Sequence, residues 1–252
     1  MYNISANTIF KGKTLVYLPT CHSTNDYASR FLAEENPLEG TLVITPEQTA
    51  GKGQRGNRWE SQAGTNLTFS LIYKPSFLKL GHQFYLNIIS SLAVRDTVAQ
   101  FLQTDVKVKW PNDIYLNNNK ISGILIQNTV KGHVLEFSVI GIGLNVNQEV
   151  FSDKKAISMK KYSSKEYSVE EVLKVLLQNL DIYYAKLQSN RLDELYQTYK
   201  THLYRFEEEH SFRANEGIFT GKITSIDETG RLIILSEGQL KVFSFKEVEF
   251  LY

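Results

Sequence analysis

Apolar positions along the chain fall into two kinds of pattern that interleave. Alternating or continuous β-type runs occur at Thr14 to Leu18, Thr41 to Thr45, Leu67 to Tyr73, Val106 to Trp110, Asp113 to Leu116, Ile121 to Thr129 and Val134 to Val146. Between them lie segments with helical spacing. Ser23 or Thr24 caps a helix that runs to about Glu35 and buries Ala28, Phe31 and Leu32, with Pro37 just past its end. A second helix, about His82 to Leu102, sets Phe84, Ile88, Leu92 and Val98 roughly on one stripe. The third opens with the capping-box pair Ser168 and Glu171 and carries Val172, Leu176, Leu180, Tyr183 and Leu187. A shorter fourth covers about Leu192 to Leu203. Strands and helices do not alternate regularly, and Asn117-Asn118-Asn119 reads as a hairpin tip. The pattern therefore predicts an α+β fold with a mixed or largely antiparallel sheet, not a doubly wound one.

After about Arg205 the helices stop. Five short β-type segments follow: Phe212 to Ala214, Ile218 to Ile226, Arg231 to Leu235, Lys241 to Phe245 and Val248 to Leu251. Turn signals at Asp227 to Gly230 and Glu237-Gly238 punctuate them, and Glu207-Glu208-Glu209 reads as a solvated connector. The expectation is a main domain over residues 1–204 and a small β-barrel over 205–252. A barrel of that size buries little by itself, so it should lean on the larger domain.

Composition narrows the possible functions. The 252 residues are 42% hydrophobic and 22% charged, as expected for an ordinary folded protein. Lys+Arg 28 against Asp+Glu 27 leaves a net +1, so there is no global electrostatic pull toward nucleic acid or anionic membrane. Anion chemistry has to come from a local cluster. A single cysteine, Cys21, excludes an internal disulfide framework and a multi-cysteine metal site, and fits a reducing cytoplasm. The first residues, MYNISANTIFKGK, lack an apolar core of the signal-peptide kind, and no apolar stretch approaches the length of a membrane span.

Two segments carry candidate chemistry. In Gln48 to Trp59, Gly51, Gly53 and Gly56 alternate with Lys52, Arg55 and Arg58. Alone it matches G-x-G-x-x-G, but the chain continues into strand where a dinucleotide site needs a helix, and neither a Walker A loop nor kinase companion motifs are present. What remains is a cationic loop whose glycines allow backbone N–H groups to approach an anion, or a mobile surface loop with incidental charge. In the second segment, Lys109 to Gln127, Pro111 ends a strand and presents Asn112 and Asp113, and a hairpin returns Lys120 beside them. A carboxylate suits a magnesium ion or a ribose hydroxyl, and a lysine suits phosphate or a developing oxyanion. The same residues also read as a turn, a core tryptophan and a solvated hairpin lysine.

Two smaller features complete the set. Cys21-His22-Ser23-Thr24-Asn25 places short polar side chains at a helix start, able to bind a small polar ligand or simply to cap. Ile140-Gly141-Ile142-Gly143-Leu144-Asn145 sets glycines in an apolar run, a sign of close approach by a ligand or a neighbouring element. The five histidines form no metal spacing, and no G-x-S-x-G elbow occurs.

Taken in order, S-T-N before a helix, Q-x-x-G-[K/R]-G-x-R-G-x-x-W, K-W-P-N-D with a lysine seven residues after the aspartate, and G-x-G-x-N-[V/I]-N resemble the biotin protein ligases over about Tyr17 to Asn147. The tail after Arg205 is similar to that family's C-terminal SH3-like barrel, and the main domain to its catalytic domain, a fold akin to class II aminoacyl-tRNA synthetases. The resemblance implies a cytoplasmic ATP- and Mg²⁺-dependent enzyme. It would form biotinyl-5′-adenylate and pass biotin to a lysine of a biotin carboxyl carrier domain of a carboxylase.

Residue by residue, the resemblance implies that Ser23, Thr24, Asn25, Gln48, Gly51, Lys52, Gly53, Gln54, Lys120, Gly123 and Gly141 bind biotin. Lys52, Arg55, Arg58, Trp59, Asn112, Asp113, Lys120, Gly143 and Asn145 would bind ATP or the adenylate, with Lys120 and Arg55 catalytic and Asp113 a magnesium ligand. Gln54 and Asn57 stand where many members of the family have arginine, which lowers the loop's positive charge by two. Bifunctional members also carry an N-terminal DNA-binding domain, and with S-T-N at Ser23 a monofunctional ligase without operator binding is expected. Homodimers occur in the family. The competing readings are a lipoate or octanoate ligase, which would need a long acyl channel, and a non-enzymatic nucleotide or nucleic-acid binder built on the small barrel.

Overall fold

A computed structural model describes residues 14–251. In chain order the elements are β1 (Leu15–Tyr17), α1 (Thr24–Glu35), β2 (Leu42–Thr45), β3 (Leu67–Tyr73), α2 (Tyr85–Leu102), β4 (Val106–Lys109), β5 (Asp113–Leu116), β6 (Asn119–Lys131) and β7 (Val134–Leu144). There follow α3 (Met159–Ser163), α4 (Val169–Gln188), α5 (Leu192–Thr201), β8 (Glu209–Ala214), β9 (Gly217–Ile226), β10 (Leu232–Ser236), β11 (Gln239–Phe243) and β12 (Glu249–Phe250). The first sheet has the order β1-β2-β3-β7-β6-β5-β4, with β1 and β2 parallel and every other neighbour antiparallel. It is the mixed sheet that the hydrophobic pattern predicts. No helix of the described residues is long and apolar enough to cross a membrane.

Helices cover the sheet on two sides, and β3 shows how. Leu67, Phe69, Leu71 and Tyr73 enter the large core with α2 and α4, while Ile72 joins Ala28 of α1, Val43 and Val139 in a smaller cluster on the other face. Alternation along a strand assigns successive side chains to opposite faces, so Thr68 and Ser70 lie on the α1 side. The helix caps follow the sequence. The Ser23 and Ser168 side chains accept from the Asp26 and Glu171 backbone N–H groups.

Two expectations need correction. Helix α2 begins at Tyr85 after a 3-10 turn at Leu80–His82, and it is buried well beyond one stripe, Ser90, Ser91 and Thr97 included. It lies between the sheet and α4 and α5, and the Ser90 and Thr97 hydroxyls are satisfied by donating to Leu86 O and Ala93 O one turn back. Helix α3 has no counterpart in the sequence reading, because five residues are too few to show a helical period.

The C-terminal strands form one antiparallel sheet in the order β11-β10-β9-β8-β12. It is plugged into the main sheet's core, not merely tethered to it. Gly230 has φ +89, and a Cβ there would come within 2.3 Å of Phe84; its carbonyl accepts from Trp110 Nε1 at 2.8 Å. Phe245 packs at 5.3 Å from the Trp110 ring and 6.0 Å from Phe84, and Tyr196 OH donates to Ile226 O at 3.0 Å. Phe212, Ile223, Leu232, Ile234 and Phe250 belong to the same buried cluster as Trp110 and Tyr199.

Candidate active site

A cavity of about 700 Å³ opens on the α1 side of the first sheet. Its floor is cleared by glycines. Gly123 of β6 and Gly143 of β7 are register partners, as are Leu125 and Gly141. A Cβ on Gly141 would sit 2.0 Å from Asn25 Oδ1, and one on Gly143 2.3 Å from the Trp59 ring. These two positions let α1 and the glycine-rich segment lie directly on the sheet backbone, the close approach that glycines in an apolar run signal.

On this floor the start of α1 is held by a polar network. Ser70 Oγ lies 2.8 Å from Thr24 Oγ1 and 2.5 Å from Asn25 Oδ1, and Asn25 Nδ2 donates to Leu125 O and Gln127 Oε1, both at 3.2 Å. Gln48 Oε1 accepts from Thr24 N at 2.8 Å and from Thr24 Oγ1 at 3.2 Å. Ser23, Thr24 and Asn25 are all nearly inaccessible, so capping and ligand binding are not alternatives here: Ser23 caps while its neighbours line the cavity. Burial pushes the nearby Cys21 thiol above its ordinary value, which argues against thiolate chemistry at this end.

At the other end Asp113 opens β5 and faces Lys120 across the hairpin, Oδ1 to Nζ 2.6 Å. The Lys120 backbone is fixed from outside its own hairpin. Its N–H donates to Lys155 O at 2.7 Å and its carbonyl accepts from Ile157 N at 3.0 Å. Its ammonium also lies 5.9 Å from the Trp59 ring. Asn112 pins the start of β5 to β6 by donating from Nδ2 to Ile124 O at 2.7 Å. Among the described residues Trp59 Nε1, buried against Gly143, has no hydrogen-bond partner.

Among the described residues no group of three or more His, Cys, Asp or Glu could hold a metal ion. Carboxylates reach the lining of the cavity from Asp113 and Glu249.

Of the residues expected at a site, the cavity brings together Ser23, Thr24, Asn25, Gln48, Lys52, Gly53, Gln54, Arg58, Trp59, Asn112, Asp113, Lys120, Gly123, Gly141 and Gly143. Gly51 and Asn145 do not line it. Gly51 packs under Trp59, where a Cβ would meet Trp59 O at 2.6 Å, and buried Asn145 donates to Ile157 O at 3.1 Å, bracing the segment that fixes Lys120. Arg55 sits in the 3-10 turn Gln54–Gly56, with its side chain outside the described part.

Sequence reasoning missed Lys109, Tyr115, Lys155 and the wall formed by Lys246, Val248, Glu249, Phe250 and Leu251. Lys109 opens the K-W-P-N-D motif and could have been taken with it. The wall had no local signal, because it comes from the second sheet.

Residues 17–145 match the biotin/lipoate A/B protein ligase family. The chain is 31% identical to the bifunctional ligase/repressor BirA of Bacillus spizizenii over 92% of its own length and 73% of that protein. It is 30% identical to the biotin–[acetyl-CoA-carboxylase] ligase of Mycobacterium tuberculosis over 50% of its length and 47% of that protein. Its fold superposes on biotin protein ligase from Aquifex aeolicus in complex with biotin and ATP with a TM-score of 0.80 and 26% identity, covering 95% of this chain and 99% of that one. By the span of the family match and by its similarity to a relative over most of both lengths, the chain belongs to the biotin/lipoate A/B protein ligase family.

Proposed function

We propose that the protein activates biotin with ATP and transfers it to a lysine of a biotin carboxyl carrier domain. The observation that carries this reading is the cavity itself. Small hydrogen-bonding groups, Ser23, Thr24, Asn25 and Gln48, stand at one end, and the Asp113–Lys120 pair at the other, with Trp59 and the glycine floor between them.

In the first step a biotin carboxylate oxygen bonds to the α-phosphorus of ATP while the bond to the bridging oxygen breaks and pyrophosphate leaves. Two anions must meet, and Lys120 would stabilise both the attacking carboxylate and the charge that develops on the phosphoryl oxygens. Arg55 would assist from the loop, and Lys52 and Arg58 would add positive charge around the phosphate. Magnesium bound with the triphosphate would neutralise its charge, held on the protein side by Asp113. Trp59 would wall the adenine side, and Asn112 would keep Asp113 in place. In the second step the carrier lysine's amine attacks the acyl carbonyl, AMP leaves, and the amine's proton is lost to solvent.

The reading places the enzyme in the cytoplasm, where ATP and carrier are available. It divides the chain at about residue 205 into a catalytic unit and a small β unit that supplies one wall of the cavity. It assigns no operator binding, in keeping with the net charge of +1, and a gel shift with biotin-operon DNA is expected to show no retarded band.

The decisive assay is pyrophosphate release with ATP and Mg²⁺ in the presence of biotin, lipoate or octanoate, with mass spectrometry of the acyl-adenylate. Release is expected with biotin alone, and Lys120→Ala is expected to slow it by roughly 10²–10³. Release with lipoate or octanoate instead would transfer the reading to the other branch of the family. The absence of release with any of the three acids would leave a binding protein.

A further inference from the structure

The glycine-rich segment is joined to the approach of α1 by an unbroken line of contacts. Cys21 and Gln48 form a parallel bridge; Cys21 N donates to Glu47 O at 3.1 Å, Thr49 N to Cys21 O at 2.9 Å and Ala50 N to His22 O at 2.9 Å. Side chains continue the line. Thr20 Oγ1 donates to Glu47 Oε2 at 2.8 Å, His22 Nδ1 lies 2.7 Å from Thr49 Oγ1, and Gln48 Oε1 takes both Thr24 donors. The last rung is ionic and two-pronged: Lys52 Nζ lies 2.8 Å from Asp26 Oδ1 and 2.7 Å from Oδ2.

Past Lys52 the chain folds on itself and no longer on α1. Gly53 N donates to Asn57 O at 2.7 Å, Lys52 bridges to Arg58, and Trp59 N donates to Gly51 O at 2.9 Å. Lys52 is thus the junction between a limb anchored on the approach to α1 and a tip, bonded within itself, that carries the uncharged Gln54 and Asn57. Asp26 sits in the first turn of α1, where the helix N-terminus favours a carboxylate, and it does not line the cavity, whereas Lys52 does.

We propose that Asp26 is a positioning residue that latches Lys52 of the glycine loop over the Ser23–Thr24–Asn25 turn and so retains the acyl-adenylate beneath the loop. This rests on the ligase reading for the identity of the retained ligand. Lys52 and Asp26 are 52% and 38% exposed, so the pair is a modest one. A loop equilibrium needs no more, since a pair of this kind shifts an open-to-closed ratio by a factor of roughly two to five.

The test has a ligand-free arm and a ligand-bound arm. In the free protein, amide exchange over residues 50–59 is expected to be faster in Asp26→Asn than in wild type, and restored in Asp26→Glu; equal exchange overturns the latch with no reference to substrate. In the bound arm, labelled biotin-adenylate is formed on the enzyme and its release is followed after a chase. Asp26→Asn is expected to release it roughly twofold to fivefold faster at low salt, with unchanged thermal stability and a biotin KM within about twofold of wild type. Wild-type release is expected to quicken with salt and converge on that of the variant. A release rate in Asp26→Asn equal to wild type, or an undiminished salt dependence in it, overturns the proposal. Failure of wild type to form any adenylate would overturn the ligase reading instead, and leave the exchange arm to judge the latch.

Discussion

The single glycine at position 141 shows how little separates a structural sheet from a binding floor. A methyl there would meet Asn25 Oδ1 at 2.0 Å, and Asn25 is held by Ser70, Leu125 O and Gln127. Gly141→Ala is expected to force Asn25 aside and break one or two of these bonds at roughly 1 kcal/mol each. Biotin affinity should then fall about tenfold while ATP affinity holds within about threefold, read by calorimetric titration of each ligand. Equal loss of both would mean that the floor is not divided as proposed. The loop tip makes a complementary case. With Gln54 and Asn57 uncharged, the proposed adenylate site would rely on Lys52, Arg55 and Arg58, so Arg55→Ala is expected to speed adenylate release in a chase experiment. Unchanged release would rule Arg55 out as compensation. At this scale the sequence was informative about residue types and poor about targets: it marked Gly141 as a close-approach position but could not say that Asn25 is what approaches.

The turn between β9 and β10 is the element that holds the second sheet to the motif tryptophan. Asp227 Oδ1 accepts from Thr229 N, Thr229 Oγ1 and Arg231 N, and Oδ2 from Arg231 Nε at 2.6 Å, which shapes the turn that presents Gly230 to Trp110. Partial burial raises the Asp227 pKa, but the bonds from Thr229 and Arg231 outweigh it and hold the carboxyl below its ordinary 3.8. A depressed carboxylate contributes stability that is fully present above the unfolded value and is lost as pH falls through the folded one. The Tm difference between wild type and Asp227→Asn should therefore be constant from pH 7 to about 5 and close below about pH 4. A difference that holds undiminished down to about pH 2 would mean that the turn's strength does not depend on the charge of the carboxylate. Elements were well legible where a cap or a strand end is written locally, as at Ser168 and at the start of β5. They were not legible where packing overrides pattern: the burial of α2 beyond one stripe follows from being sandwiched, and a five-residue helix such as α3 has no period to read.

Whether the two sheets act as one body is a question for the whole molecule, and the core answers it in favour of unity. Phe84 and Trp110 of the first unit enclose Gly230, Phe245 packs on both, and the buried cluster runs without a break from Leu67 through Tyr199 to Ile234 and Phe250. Lys246, Val248 and Glu249 then reach the cavity that the first sheet's glycines open. The tail's strands were legible as a small unit, because turn signals recur between short apolar segments. That they close the cavity was not, since nothing local in Lys246 to Leu251 records what lies opposite. A small sheet that buries its apolar face only against a partner should not outlast that partner, so unfolding is expected to be a single transition. Tryptophan fluorescence, which reports Trp110 and Trp59, and far-ultraviolet circular dichroism should give coincident melting curves in wild type. Gly230→Ala adds a methyl against the Phe84 ring at a positive φ, and should lower Tm and separate the curves as the second sheet loosens first. It should also weaken ATP more than biotin, because the wall it detaches includes Phe250, whose ring lies 5.1 Å from Lys109 Nζ, and Lys109 is the register partner of Asp113. Two separated transitions already present in the wild type would mean that the second sheet is an independently folded neighbour, and that its place in the cavity is incidental to the chemistry.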